Sequence, residues 1–256
     1  MKHKPRRFVV ASDNHGDMAD DTATKALFAF LQDYQPEIRI HAGDNWDFRN
    51  LRRGASDEER AASLEDDWTA GVAFMERFFK GGKTNVFLRG NHDERLWDFR
   101  ESATGLLRDY AADGIKRVEA LTKRLNVKML PYDAETGVYE LGKLSVMHGY
   151  HCGISAAREH ANSYHKDVLF GHVHAFDSAS IRNLGGAITS QSMGCMCKTD
   201  MPYMTRKTGR LKWGNGWAAG VVYPNGNYSI FMVKRTGNSF LSPSCFVDYG
   251  IQTRRH

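Results

Sequence analysis

Five times along this chain a short, largely apolar run breaks off into a turn built from Asp, Asn, His and Gly. Phe8-Val9-Val10-Ala11 leads into Ser12-Asp13-Asn14-His15, and Ile38-Arg39-Ile40-His41 into Ala42-Gly43-Asp44-Asn45-Trp46-Asp47. Asn85-Val86-Phe87-Leu88 leads to Gly90-Asn91-His92-Asp93, Lys143 to Met147 into His148-Gly149, and Val168-Leu169-Phe170 into Gly171-His172-Val173-His174. The runs read as buried strands. Between the first two, Ala23, Ala26, Leu27, Phe30, Leu31 and Tyr34 recur at spacings of three and four, which is one face of a helix ended by Pro36. Strand, loop, helix, strand, loop is the order of a parallel sheet. Such a sheet builds its sites at the carboxyl ends of its strands.

The remaining pattern agrees with this order. Ser56-Asp57-Glu58-Glu59 has the form of a capping box, opening a helix expected to run to about Lys80 and to stop at Gly81-Gly82. A long helical stretch is expected from about Glu94 to Asn126, broken near Gly105 or Gly114. After Asn126 the texture turns to short strands: Val127 to Leu130, Gly137 to Leu141 and Lys143 to Met147, with a turn at Gly142. A short helix is expected over Ile154 to His165. Trp217 to Tyr223 and Tyr228 to Val233 flank Pro224-Asn225-Gly226-Asn227, a strong hairpin signal. No internal repeat or linker stands out, so a single domain over 1–256 is the economical reading.

Composition excludes several classes. No run approaches the ~18 apolar residues of a membrane helix. The basic leader Met1-Lys2-His3-Lys4-Pro5-Arg6-Arg7 is followed by too short an apolar run for an export signal. Four cysteines in 256 residues do not make a disulfide framework, which suits a cytoplasmic protein. Cys195 and Cys197, one residue apart, read either as a metal or redox pair or as two small packed side chains, the second being favoured by the narrow spacing. A net charge of +5 and a pI near 9.0 suit a polyanionic substrate.

Taken singly, Asp13 or Asp44 would be a helix cap and His148 a buried, hydrogen-bonded histidine. Together the five turns offer carboxylates, imidazoles and an amide oxygen, a donor set for Mn²⁺, Fe or Zn²⁺ rather than Ca²⁺ or an iron–sulfur cluster. There are too many of them for one ion and about enough for two. Two ions sharing a carboxylate would clamp a phosphoryl oxygen and acidify a bridging water. The motifs contain no Ser or Cys nucleophile, so direct attack by that hydroxide, in line on phosphorus, is the mechanism the set suggests.

Asp13-Asn14-His15, Gly43-Asp44-Asn45-Trp46-Asp47, Gly90-Asn91-His92-Asp93, His148-Gly149 and Gly171-His172-Val173-His174 resemble, in order, the five motifs of the calcineurin-like metallophosphoesterases. The resemblance implies an α/β fold, a four-layer α/β/β/α sandwich of two mixed β-sheets flanked by helices, with two divalent metals at the strand ends. Mn²⁺ is the first choice, with Fe, Zn²⁺, Ni²⁺ or Mg²⁺ as alternatives. Asp13, His15 and His174 would hold the first metal, Asn91, His148 and His172 the second, and Asp44 would bridge them. His92 would face the leaving group, oriented by Asp93. Asp47 is read as structural.

One departure bears on substrate. Protein Ser/Thr phosphatases of this superfamily continue the second motif with Arg-Gly, where this chain has Asp47-Phe48-Arg49-Asn50. The segment from Lys198 to Trp213 interleaves five basic residues with Tyr203 and Trp213. It suits either a nucleic-acid backbone or a solvated loop whose tryptophan packs on the core. Arg49, Arg89 and Arg95 are the candidates for contacting substrate phosphate. The first reading is a phosphodiesterase or nuclease acting on DNA or RNA. The alternatives are a phosphomonoesterase acting on a nucleotide or phosphoprotein, and a metal-free scaffold.

Overall fold

Strand β1 (Arg6–Ala11) sits at the centre of the larger sheet, and its apolar run is explained by burial on both faces. In a computed structural model describing residues 4–200 and 212–242, Val9 and Ala11 face the helices while Phe8 and Val10 face a second sheet. The same alternation places Ile38 and Ile40 of β2 (Ile38–His41) and Val86 and Leu88 of β3 (Thr84–Leu88) between the sheets. Phe87, on the opposite face, packs under the helices. Arg39, also buried, donates from Nη1 to the Phe78 carbonyl at 2.7 Å.

The larger sheet has the order β12-β11-β10-β1-β2-β3-β4. Its β1, β2, β3 and β4 (Val127–Leu130) are parallel. Antiparallel β10 (Gly216–Val222), β11 (Tyr228–Thr236) and β12 (Ser239–Leu241) extend the other edge. The smaller sheet runs β5 (Tyr139–Leu141), β6 (Leu144–Met147), β7 (Asp167–Phe170), β9 (Gly186–Ser192), β8 (Asp177–Asn183). Both sheets are mixed. Helices α1 to α5 and helix α6 (Ala156–Tyr164) lie on the two outer faces, so the four-layer α/β/β/α sandwich is observed. The second helical layer holds α6 alone among the described residues.

Helix α1 (Asp21–Tyr34) begins at Asp20, whose carboxylate accepts the Ala23 N–H. The capping box at Ser56 is present, but it opens only α2 (Asp57–Ala61). Ser63 then caps a separate helix, α3 (Leu64–Phe79), through the Asp66 N–H. The expected single helix to Lys80 is thus two, because a second N-cap resets the chain direction. The long stretch breaks at Ala103-Thr104, giving α4 (Asn91–Ser102) and α5 (Gly105–Arg124). Gly114 is no break: it lies inside α5, where an added Cβ would sit 3.2 Å from Leu96. Helix α4 starts at Asn91, three residues earlier than its periodicity suggests.

No helix among the described residues is long and apolar enough to cross a membrane. Most of the basic segment from Lys198 to Trp213, and Cys245, lie outside the described residues.

Candidate metal centre

The five turns meet at one end of the two sheets. Backbone hydrogen bonds lace the first to the second: Asp13 N–H to the Gly43 carbonyl (2.9 Å), His15 N–H to that of Asp44 (3.0 Å), Gly16 N–H to that of Asn45 (2.8 Å). Asn14 locks the seam, donating to the Asn45 carbonyl at 2.8 Å and accepting from His41 Nε2 at 2.7 Å. His41 is buried among Phe74, Phe78 and Phe87, and that burial pulls it down to about 3, so it stays neutral. The packing is close at Gly90, where an added Cβ would lie 2.1 Å from Asp44 Oδ1.

Two groups of donors result. His174 Nε2 lies 3.2 Å from both Asp13 Oδ1 and His15 Nε2. His148 Nε2 lies 3.0 Å from Asn91 Oδ1, and Asp44, His148 and His172 place ligand atoms within 4.8 Å of one another. Asp44 Oδ2 stands between the groups, 3.3 Å from His148 Nε2 and 3.9 Å from His15 Nε2. All seven residues expected to hold metal lie at this end of the sheets, and the trios whose ligand atoms fall within 4.8 Å of one another are His15, His174 and Cys197; His15, Asp44 and His92; and Asp44, His148 and His172. The set fits hard-to-borderline divalent ions: Asp13 Oδ1 is buried without a hydrogen-bond donor, and His174 Nε2 lies 3.2 Å from it.

Carboxylates and imidazoles crowd the basin and shift one another strongly. Burial disfavours the Asp44 carboxylate, but the His148 and His92 charges outweigh it and hold the group well below its usual range. Burial likewise acts against Asp13, and His174 and His148 overcome it. His15 is pulled down by burial and pushed up by Asp47, Asp44 and Asp13, standing at about 9; His148 stands at about 9 through Asp44 and Asp13. Burial and the His148 charge bring His172 down to about 4.

Backbone conformation is unusual at the same places. Asp13, His15, Asp44, His172 and His174 all occupy the left-handed region, with φ of 59°, 51°, 54°, 65° and 56°. A non-glycine residue rarely sits there, and five at one site indicate strain held by the surrounding fold.

His92 lies in the first turn of α4, and burial lowers its pKa. Its expected partner is not Asp93. Asp93 is buried and accepts three backbone N–H groups, from Asp44 (2.7 Å), Trp46 (3.0 Å) and Gly90 (2.8 Å). Adjacent helical residues point to different sides, so an acid following His92 turns away from it. Burial and the Asp44 charge push Asp93 up to about 7. The carboxylate on His92 belongs to Asp47, which accepts from Nδ1 at 2.5 Å and lies 3.3 Å from His15 Nδ1. Asp47 is itself placed by Asp67 of α3, which accepts the Asp47 and Phe48 N–H groups at 3.1 and 2.7 Å.

Two of the three arginine candidates reach this corner. Arg95 donates from Nη1 to the Asp47 carbonyl at 2.7 Å and from Nη2 to His92 Nε2 at 3.2 Å. Arg49 pairs with Asp17 and, at 3.3 Å, with Asp47. Arg89 is turned elsewhere, with Nε 3.3 Å from Glu94 and its guanidinium over the Trp97 ring. Asp47 and Asp67 were missed as site residues. The Asp-x-x-Asp spacing from Asp44 was the available signal for the first, whereas nothing local marks the second.

Cys195 and Cys197 are buried free thiols. Trp213 packs against them, with its ring 4.2 Å from that of His174, which favours the core-packing reading of that tryptophan.

No family model matches the chain. It is 29% identical over 182 residues, 66% of this chain and 69% of the other, to the "Gene 54 protein" of Mycobacterium phage D29. Similar solved structures include a Vps29 from Entamoeba histolytica (9% identity, TM-score 0.40, covering 90% of this chain and 99% of that one). Another is the phosphoesterase Yfce from E. coli (16% identity, TM-score 0.39, covering 89% and 98%). The chain itself unites five ligand-bearing turns, a two-sheet sandwich and seven donors gathered at its strand ends.

Proposed function

We propose that this chain is a dinuclear-metal-dependent phosphodiesterase acting on nucleic acid. The observation that carries the hydrolase reading is Asp44 standing between two donor groups, with His92 beside them. Asp13, His15 and His174 would hold one divalent ion, Asn91, His148 and His172 the other, and Asp44 both. When bound, such a pair supplies Lewis acidity to a phosphoryl oxygen and a water acidic enough to attack at neutral pH.

The chain's own residues do the rest. His148 donates Nδ1–H to the Ala42 carbonyl at 2.8 Å, which leaves Nε2 free to face inward. His92 keeps Nδ1–H on Asp47 and presents Nε2, now covered by Arg95, at the edge of the basin. In this arrangement Nε2 accepts from Arg95, so protonating a departing oxygen from that nitrogen requires Arg95 to leave it, and the Asp47 carboxylate would then stabilise the imidazolium. Arg95 and Arg49 add positive charge where a phosphate would enter.

The diester reading rests on the charge of the segment from Lys198 to Trp213, with its five basic residues, and not on Trp213, which packs on the core beside His174. The absent Arg-Gly after Asp47 argues against a protein phosphatase.

The test is hydrolysis of bis-p-nitrophenyl phosphate and p-nitrophenyl phosphate in Mn²⁺, followed by single-stranded and duplex DNA and RNA. Diester turnover that collapses in Asp44→Ala supports the proposal. Turnover of the monoester alone would replace it with a phosphomonoesterase.

A further inference from the structure

Four imidazoles in the basin have an Nδ1 contact that turns Nε2 inward. His148 Nδ1 is held by the Ala42 carbonyl, and His15 and His92 Nδ1 by Asp47. For His174 the neighbour is different: Nδ1 lies 3.8 Å from the sulfur of Cys197. His174 Nε2 is the nitrogen beside Asp13 Oδ1 and His15 Nε2, both at 3.2 Å. A single ring cannot turn both nitrogens to one ion. The sulfur therefore faces the outer nitrogen.

We propose that Cys197 is the positioning residue of the first metal site, its sulfur accepting Nδ1–H of His174 so that the Nε2 lone pair is aimed between Asp13 and His15. This rests on the metal-binding reading above. A sulfur acceptor is weaker and longer than a carboxylate or carbonyl, so it can hold the ring only if it is itself immobile. The structure supplies that. Cys197 is fully buried, and Asn215 Nδ2 donates to its carbonyl at 2.6 Å. Asn215 Oδ1 accepts in turn from Arg235 Nη1 at 3.1 Å, and Arg235 pairs with Asp20 at 3.1 Å. On the other side, Met196 N–H reaches the Ser12 and Asp13 carbonyls at 3.1 and 3.2 Å. The segment bearing the sulfur is thus fastened to the same loop that carries Asp13 and His15. The Trp213 ring packs against that of His174, with the centroids 4.2 Å apart.

Cys195 makes a useful contrast. It is equally buried, but its sulfur faces the Cys197 carbonyl at 3.8 Å and the Asn215 amide at 3.9 Å.

The experiment is equilibrium dialysis of Mn²⁺ against wild type, Cys197→Ala, Cys197→Ser and Cys195→Ser. The Zn²⁺-loaded proteins are also observed by ¹⁵N NMR for a slowly exchanging imidazole Nδ1–H on His174. Wild type is expected to bind two ions and show that proton. Cys197→Ala should lose about 10- to 100-fold in affinity at one site only, and lose the protected proton. Cys197→Ser, whose hydroxyl can accept, should restore both to within a few-fold, and Cys195→Ser should match wild type. Cys197→Ala with both affinities and the proton intact would overturn the proposal. So would a thiolate-to-metal charge-transfer band in the Co²⁺-loaded wild type that Cys197→Ala abolishes, since the sulfur would then be a ligand. Wild type that binds no ion would instead overturn the metal reading itself.

Discussion

Asp47 accepts the Nδ1–H of His92 at 2.5 Å, across 45 positions of sequence, and so fixes which nitrogen of that ring faces the basin. Asp47→Asn keeps the shape and weakens the acceptor. Its kcat should fall roughly 10- to 100-fold with KM little changed. His92→Ala should fall roughly 100- to 10,000-fold. Steady-state kinetics of both and of the double variant check this, and a double variant no worse than His92→Ala would show that Asp47 acts through His92.

Asp93 behaves differently. Its carboxylate satisfies three buried N–H groups. Asp93→Ala should lower unfolding free energy by about 2–4 kcal/mol, measured by urea denaturation in the presence of chelator. An unchanged midpoint would contradict the structural role.

Gly71 of α3 lies against Trp46, where an added Cβ would come 2.1 Å from the indole nitrogen. Trp46 is also stacked on Trp68 and Phe48, so it has nowhere to move. Although alanine is the better helix former, Gly71→Ala should destabilise by about 1–3 kcal/mol. Thermal unfolding decides the sign.

His160 reports acid sensitivity away from the basin. It donates Nδ1–H to the Ala156 carbonyl at 2.8 Å and accepts the Tyr150 N–H on Nε2 at 2.9 Å, and burial lowers it to about 4. A folded value below the unfolded one means its contribution is complete above about pH 6.5 and is lost as pH falls towards 4. The loss is on the order of 2 kcal/mol. His160→Gln should flatten the stability profile between these limits, as read by denaturation at a series of pH values.

His15 and His148, both at about 9, carry protons at pH 7 that an incoming ion must displace. Calorimetric titration with Mn²⁺ in buffers of different ionisation enthalpy should show proton release at pH 7 and tighter binding as pH rises to 9. Release of no protons would mean that neither imidazole is a ligand.

Much of this site is legible as strands ending in ligand-bearing turns, because burial on both faces forces apolar runs and the turns interrupt them abruptly. Asp13, His15, Asp44, Asn91, His148, His172 and His174 are found in that way. What is not legible depends on distance through space. Asp93 adjoins His92 in sequence, and only the start of α4 at Asn91 shows that it points back to Gly90 N–H. Asp67 looks like one more acid on the exposed side of α3, yet it holds the Asp47 turn. The same limit applies to Cys197, whose meaning comes from His174, 23 residues away.

The left-handed backbone at five of the seven ligand positions has a consequence for inheritance. Each of those residues costs about 1 kcal/mol or more relative to glycine, and the buried like charges add to it. Glycine or asparagine at His15, Asp44 or His172 would relieve the chain while ending its chemistry. Once selection for turnover lapses, drift at these positions therefore runs downhill in free energy. Glycine variants at these positions are expected to unfold at a higher temperature than the parent chain while losing metal affinity.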